Sequence, residues 1–213
     1  MTNVDLDLLE RWLSGWSLAR GLPLPRQDGG GLVVDVGWPE QPRRHVFVDA
    51  GRALQDCAAR IYTPDTYLKA AVASDELRRA LPARWQMDTA RYLMHGPAAM
   101  AGSAVPPAGY VASVASEHGA RVIRYADSSG QTAAIGRIAL HRGTAVFDRI
   151  ETLEAHRRKG LGSALMFALD ALAERAGVSE RLLVATATDR ALYTSLGWQV
   201  LAPYSSAYLG ANL

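Results

Sequence analysis

The chain has 213 residues, 49% of them hydrophobic and 21% charged, with a formal net charge of +2. That length suits one large α/β domain or two small ones sharing an interface, and the near-neutral balance argues against a surface built to coat nucleic acid. The single cysteine, Cys57, excludes an internal disulfide and fits a reducing, cytoplasmic setting. Asp5, Asp7 and Glu10 stand where a secretory signal needs basic residues, and no uncharged apolar run approaches the ~18 residues of a membrane span.

Residues 4–19 set Leu8, Leu9, Trp12, Leu13 and Trp16 on one stripe of an amphipathic helix. Prolines and glycines mark 21–31 as a loop, and strands are expected at 32–36 and 45–49. Leu54, Cys57, Ala58 and Ile61 follow with helical spacing. Thr63-Pro64 has the form of a helix start, and Ser74 that of a cap on a short helix ending before Pro82. A loop at 96–109 divides an N-terminal α/β region (1–100), expected to shape the acceptor side, from a C-terminal domain (101–213).

Beyond that loop the patterning changes. Strands at 110–116, 120–126, 132–141 and 144–153, joined by short turns, form an antiparallel meander. The last of them, a helix over about 158–176 and a strand at 182–187 make a βαβ unit, with parallel strands and a right-handed crossover. Leu161, Leu165, Leu169, Leu172 and Ala176 line one helix face, and Gly177 stops it. Thr188 reads as the N-cap of a short helix, with Asp189 in its first turn and Gly197 past its end. Final strands are expected at 198–201 and 207–209; an exposed last strand offers a route to a homodimer. No internal repeat is visible. The fold class is α/β with a mixed sheet.

The sharpest chemical feature is Arg157-Arg158-Lys159-Gly160-Leu161-Gly162, at the turn from strand to helix. A helix start leaves about four backbone N–H groups without partners, and the helix dipole adds partial positive charge. Gly160 and Gly162 let a bulky ligand reach those amides, and the three cations add to the field. Together they make a diphosphate cradle. The spacing is neither that of a nucleotide P-loop nor that of the dinucleotide fingerprint. The five histidines are scattered and suggest no metal site.

These residues resemble the Arg/Gln-x-x-Gly-x-Gly/Ala signature of the GNAT (GCN5-related N-acetyltransferase) superfamily, matched by Arg157, Gly160 and Gly162. The stretch 147–156 looks like the family's fourth strand, and Ala191-Leu192-Tyr193-Thr194-Ser195-Leu196-Gly197-Trp198 like its closing helix. The resemblance covers about 110–209. It implies a fold in which coenzyme A lies where two parallel strands splay apart, here those ending near Leu153 and Ala187. The pantetheine arm would pair with backbone around Ile150, Thr152 and Leu153. The diphosphate would rest on Arg158, Lys159, Gly160, Leu161, Gly162 and Ser163, and the N–H of Thr152 would polarise the acetyl carbonyl.

Transfer to an amine also needs a base and a proton for the departing thiolate. Asp148 and Glu151 are the candidate bases. Three apart on a strand, they face opposite sides unless a bulge intervenes. Tyr193 is the candidate acid, as the resemblance implies; where the family often carries an asparagine, this chain has Thr188 and Asp189. The expected activity is therefore acetyl transfer from acetyl-CoA, as cosubstrate, to a primary amine of a small molecule or protein by direct attack in a ternary complex. The rival readings are a non-catalytic acyl-CoA-binding module and, less in keeping with the charge, a nucleic-acid binder using 157–159.

Overall fold

One continuous sheet runs through residues 4–210, the part of the chain that the computed structural model describes. Helix α1 (Leu6–Leu18) comes first, its start fixed by Asp5, whose Oδ1 accepts from Leu8 N–H at 2.8 Å; of the predicted stripe, Leu9, Trp12, Leu13 and Trp16 are buried and Leu8 is half-buried. There follow β1 (Arg26–Asp28), β2 (Gly31–Trp38), β3 (Gln41–Phe47), α2 (Arg52–Arg60), β4 (Tyr67–Ala70), α3 (Ser74–Ala80), β5 (Trp85–Met87) and β6 (Arg91–His95). After the loop come β7 (Val111–Glu117), β8 (Ala120–Ala126), β9 (Thr132–His141) and β10 (Thr144–Thr152). A 3-10 turn (Glu154–His156), α4 (Leu161–Arg175), β11 (Glu180–Thr186), α5 (Ala187–Ser195) and β12 (Gln199–Leu209) complete the chain.

The C-terminal meander and βαβ unit match the sequence pattern closely; the N-terminal half departs from it. Thr63 and Pro64 start no helix. They lie in the turn before β4, whose Tyr67 to Ala70 is drawn alongside Arg44 to Phe47 of β3 in parallel register. β1, β4, β5 and β6 were not anticipated: each is short, and Arg26, Lys69 and Arg91 interrupt the apolar patterning. The two expected final strands merge into β12, which continues through Pro203 with a register shift between Val200 and Ala202. Thr186, not Thr188, caps α5, its side chain accepting from Asp189 N–H.

The strand order is β1-β2-β3-β4-β12-β6-β11-β10-β9-β8-β7, with β5 also paired to β12. Parallel pairing occurs at β3–β4 and β10–β11. Each of these pairs is a hairpin strand, a crossover helix and a returning strand, so the motif occurs twice although the sequence shows no repeat. The strands that close the two halves interleave: β6 sits between β11 and β12, and β12 between β6 and β4. The sheet thus runs unbroken across the 96–109 loop.

Helix α4 packs on one face of β8–β10 through Leu161, Leu165 and Leu169. Helix α1 packs on the other face of β9 and β10, and it lies close. A Cβ on Gly15 would overlap the Val146 side chain, an intrusion of the kind that costs about 1–3 kcal/mol. A third apolar cluster joins Leu54, Leu77 and Trp85 beside α2 and α3. Among the described residues no helix is long and apolar enough to cross a membrane.

Within the N-terminal half, β3 buries His45 to 6% exposure, with its Nδ1 3.6 Å from Cys57 Sγ. Burial, then the charge of Arg43, pushes the imidazole pKa from 6.5 down to about 4. Between those values the unfolded chain holds a proton that the folded chain refuses. Stability therefore falls as pH drops from 6.5 towards 4, by up to about 3 kcal/mol. Urea midpoints measured across that window should decline, and the decline should flatten in His45→Gln; an unchanged pH slope in the variant would remove His45 as its source.

Candidate active site

The helix α4 start is open. Gly160 is its N-cap, in the left-handed region at φ 80°, and no side chain caps the first turn. The N–H groups of Leu161, Gly162 and Ser163 therefore lack side-chain partners at the positive end of a 15-residue helix. The helix begins three residues later than its apolar spacing suggests because Arg158 (φ 60°) and Gly160 both adopt left-handed backbone. The loop below is braced: Tyr110 Oη lies 3.0 Å from His156 Nδ1, and Asp127 Oδ2 lies 3.6 Å from His156 Nε2. Half-buried His156 thus anchors the turn that presents the cradle.

A cleft of about 540 Å³ opens in front of these amides. Arg157, Arg158, Gly160, Leu161, Gly162 and Ser163 border it from the loop and α4. Ile150, Glu151 and Thr152 border it from β10, and Thr188, Asp189, Leu192 and Tyr193 from α5. Leu153 and Lys159 stand outside it. Leu153 N–H is bonded to Ala133 O at 2.9 Å, and Lys159 Nζ turns back to Ala155 O at 3.1 Å. Arg157 Nε donates to Thr152 O at 3.2 Å, tying the loop to the strand.

The cleft exists because two strands separate. β10 and β11 pair only from Thr144 to Val146 and from Glu180 to Leu182; past those residues β10 stays with β9 and β11 with β6. Backbone groups alternate in direction along a strand. Since Leu153 N–H points to β9, Thr152 directs its N–H and C=O into the gap. The C=O is held by Arg157, which leaves the Thr152 N–H as a donor suited to a developing oxyanion.

Tyr193 is 5% exposed and held by Trp198, with ring centroids 6.2 Å apart. Burial, then the negative charges of Asp189 and Asp148, raises its phenol pKa well above the usual value of 10. It stays protonated, as a proton donor must.

The two acids share one face. The register shifts between Asp148 and Glu151, with Arg149 in the left-handed region at φ 49°. Asp148 pairs with Arg137, and Glu151 with Ile135. Those partners are two apart on β9, so the bulge turns both carboxylates to the α1 side. There Asp148 borders a second cavity of about 240 Å³, together with Phe147, Val184 and residues of α1, β2, β3, β4, β6 and β12. Arg20 grips Asp148 through Nε and Nη2, both at 2.8 Å. Glu151 is exposed, and its carboxylate has no hydrogen-bond partner among the described residues. The two cavities border successive stretches of β10, one at Phe147 and Asp148 and the other at Ile150 to Thr152.

The N-terminal hairpin–helix–strand motif offers no such cradle. β3 and β4 remain paired as far as Phe47 and Ala70. Asp49 Oδ1 accepts from Gly51 N–H at 2.8 Å, setting a carboxylate at the start of α2, where a diphosphate would have to lie.

Of the residues that border the second cavity, sequence reasoning singled out Asp148 as a functional candidate and no other. Trp12, Trp16 and Trp38 form part of its wall. Arg20, Arg44, Lys69 and Arg91 were not singled out. The signal present was the polarity of 43–45 and of Lys69 inside otherwise apolar strands.

Comparison with known proteins agrees with this geometry. Residues 114–200 match the family model of the acetyltransferase (GNAT) domain. A GCN5-related N-acetyltransferase from Kribbella flavida superposes with a TM-score of 0.59 at 18% identity, over 91% of this chain and 91% of that one. A putative acetyltransferase of the GNAT family from Novosphingobium aromaticivorans gives 0.57 at 16% identity, over 96% and 99%. A GCN5-related N-acetyltransferase from Sphaerobacter thermophilus gives 0.59 at 13%, over 86% and 79%. At these identities the likeness is one of fold. No match was found among curated proteins.

Proposed function

We propose that this chain, which has the GNAT fold and matches the family model of the acetyltransferase (GNAT) domain over residues 114–200, transfers an acetyl group from acetyl-CoA to a primary amine in a ternary complex. The observation that carries the reading is that two cavities border successive stretches of β10 beyond its last pairing with β11, with Tyr193 on one and Asp148 on the other. The cofactor side fits its ligand: an uncapped helix start, a left-handed glycine and neighbouring cations suit a diphosphate, and the edge of β10 beyond its pairing with β11 suits an amide-bearing arm.

The steps follow from placement. The acceptor amine enters from the α1 side and meets Asp148. Each oxygen of that carboxylate accepts one bond from Arg20 and keeps a second lone pair, so Asp148 can receive the ammonium proton. The neutral amine attacks the thioester carbonyl, whose oxygen takes the Thr152 N–H. The C–S bond breaks, Tyr193 supplies the proton that makes the thiol of CoA, and the proton lost by the acylated nitrogen restores the phenol. Glu151 borders the cofactor cleft but not the acceptor cavity, which favours Asp148 as the base.

Release of free thiol from acetyl-CoA over a broad amine panel tests the reading, and a protein that binds acetyl-CoA yet releases none with any amine is a binding module instead. Asp148→Asn should lower kcat by about a hundredfold, within the usual reach of acid–base catalysis, and Glu151→Gln should change it little. The reverse ranking would move the base to Glu151.

A further inference from the structure

If the chain acylates amines, its α1-face cavity receives the acceptor, and the wall of that cavity says what else the acceptor carries. Arg44, Lys69, Tyr204 and Arg91 come from β3, β4, β12 and β6, consecutive strands of the sheet. Tyr204 and Arg91 are direct cross-strand partners, and Lys69 is paired with Ser206, two residues from Tyr204. Arg44, Lys69 and Tyr204 are 8%, 3% and 2% exposed.

Their polar groups are poorly satisfied. Arg44 Nη2 donates to Gln41 Oε1 at 3.0 Å, and its guanidinium lies 3.7 Å from the centre of the Trp16 ring. Lys69 Nζ donates to Ser206 Oγ at 2.6 Å. Arg44 Nε, Arg91 Nε, Gln41 Nε2 and Tyr204 Oη are buried without a hydrogen-bond partner among the described residues. The cations lining the cavity are Arg20, Arg44, Lys69 and Arg91; the acids are Asp88 and Asp148. Asp148 is already engaged by Arg20, which leaves Asp88 against the other three cations. Burial, with Arg44 and Arg91 nearby, pushes the Lys69 ammonium well below its usual range, and burial brings Arg44 down to about 10. With Lys69 neutral the cations still exceed the acids.

Buried donors and surplus positive charge are unfavourable in the free protein. A ligand oxyanion relieves both, and guanidinium, ammonium and phenol are the donors that bind one. We propose that the acceptor is a small amine that also bears a carboxylate or phosphate, its amine at Asp148 and Val184 and its oxyanion among Arg44, Lys69, Arg91 and Tyr204. A cavity of about 240 Å³ holds roughly eight water-sized groups at ~30 Å³ each. That is the scale of an amino acid.

The test measures thiol release from acetyl-CoA with free amino acids, with their amides, and with phosphoethanolamine beside ethanolamine. One acidic set should exceed its neutral counterparts by about tenfold or more in kcat/KM, and the preferred set identifies the oxyanion as carboxylate or phosphate. Arg44→Gln should reduce that ratio about tenfold. Tyr204→Phe, which removes one hydroxyl, should reduce it too and serves if Arg44→Gln does not fold. Equal rates on acids and neutral amines, or a ratio that neither variant moves, overturns the proposal. Because it rests on the transferase reading, thermal unfolding is also measured with N-acetyl amino acids and with their amides. Stabilisation by the acids alone, lost in the variants, without thiol release from any amine supports the pocket and sinks the transferase reading. Turnover of neutral amines alone, or neither turnover nor stabilisation, sinks the pocket.

Discussion

Ser163→Glu should weaken acetyl-CoA binding by roughly a hundredfold while making the protein slightly more stable. Ser163 is the third residue of α4, following Leu161 and Gly162 after the Gly160 cap. A glutamate in a first helical turn is favourable to the helix by about 0.3–1 kcal/mol. The same carboxylate would stand about 5 Å from a diphosphate resting on these amides. At an effective dielectric constant of about 20, each pair of like charges at that distance costs about 3 kcal/mol, and one such pair weakens binding by roughly a hundredfold. Stability and affinity are thus expected to move in opposite directions. A substitution at Gly160 separates them less well, since its φ of 80° strains any other residue by about 1–2 kcal/mol. Calorimetry with acetyl-CoA, beside a melting curve of each protein, decides it. Unchanged affinity would mean that the diphosphate does not sit at this helix start.

The proposed cofactor side is local in sequence. Residues 157–163 are consecutive, and the amides they expose follow from glycine, charge and the strand-to-helix turn alone. The neighbouring wall, Ile150 to Thr152, lies a few residues upstream, and Tyr193 lies on the next helix after β11. Periodicity placed each of these elements to within about three residues, the usual latitude at element ends. Even there a tertiary event escaped. The bulge at Arg149 turns Glu151 onto the face of Asp148, and nothing in Asp148-Arg149-Ile150-Glu151 announces a left-handed arginine.

The proposed acceptor side was illegible because it is not local. Arg20 meets Asp148 across 128 positions of sequence, and the cavity draws residues from α1, β2, β3, β4, β6 and β12. No window of sequence contains that constellation. Two of the strands that carry it, β4 and β6, are among those the patterning missed. Lys69 in β4 and Arg91 in β6 break the apolar rhythm because they serve a cavity and not the core. Local rules fail most where a position is kept for something other than stability, and Lys69 and Arg91 are two such positions on the wall of the proposed acceptor cavity.

Tyr193→Phe should lower kcat by about a hundredfold to a thousandfold, the usual scale for a lost general acid, with acetyl-CoA affinity unchanged. The variant loses one oxygen. The ring, 5% exposed and seated against Trp198, keeps its packing, so the fold should persist. The hydroxyl has no protein hydrogen-bond partner among the described residues, which leaves it free for the thiolate. The pH profile gives a second reading of the same residue. Burial and the charges of Asp189 and Asp148 hold the phenol protonated well past pH 10. An acid whose pKa is raised remains competent throughout the range where an ordinary tyrosine would begin to ionise, so kcat should show no alkaline decline up to about pH 10. Two outcomes remove Tyr193 as the donor. One is equal turnover in the tyrosine and phenylalanine proteins. The other is an alkaline limb near neutral pH that the substitution leaves in place, since a different group would then be delivering the proton that lets the thiolate leave.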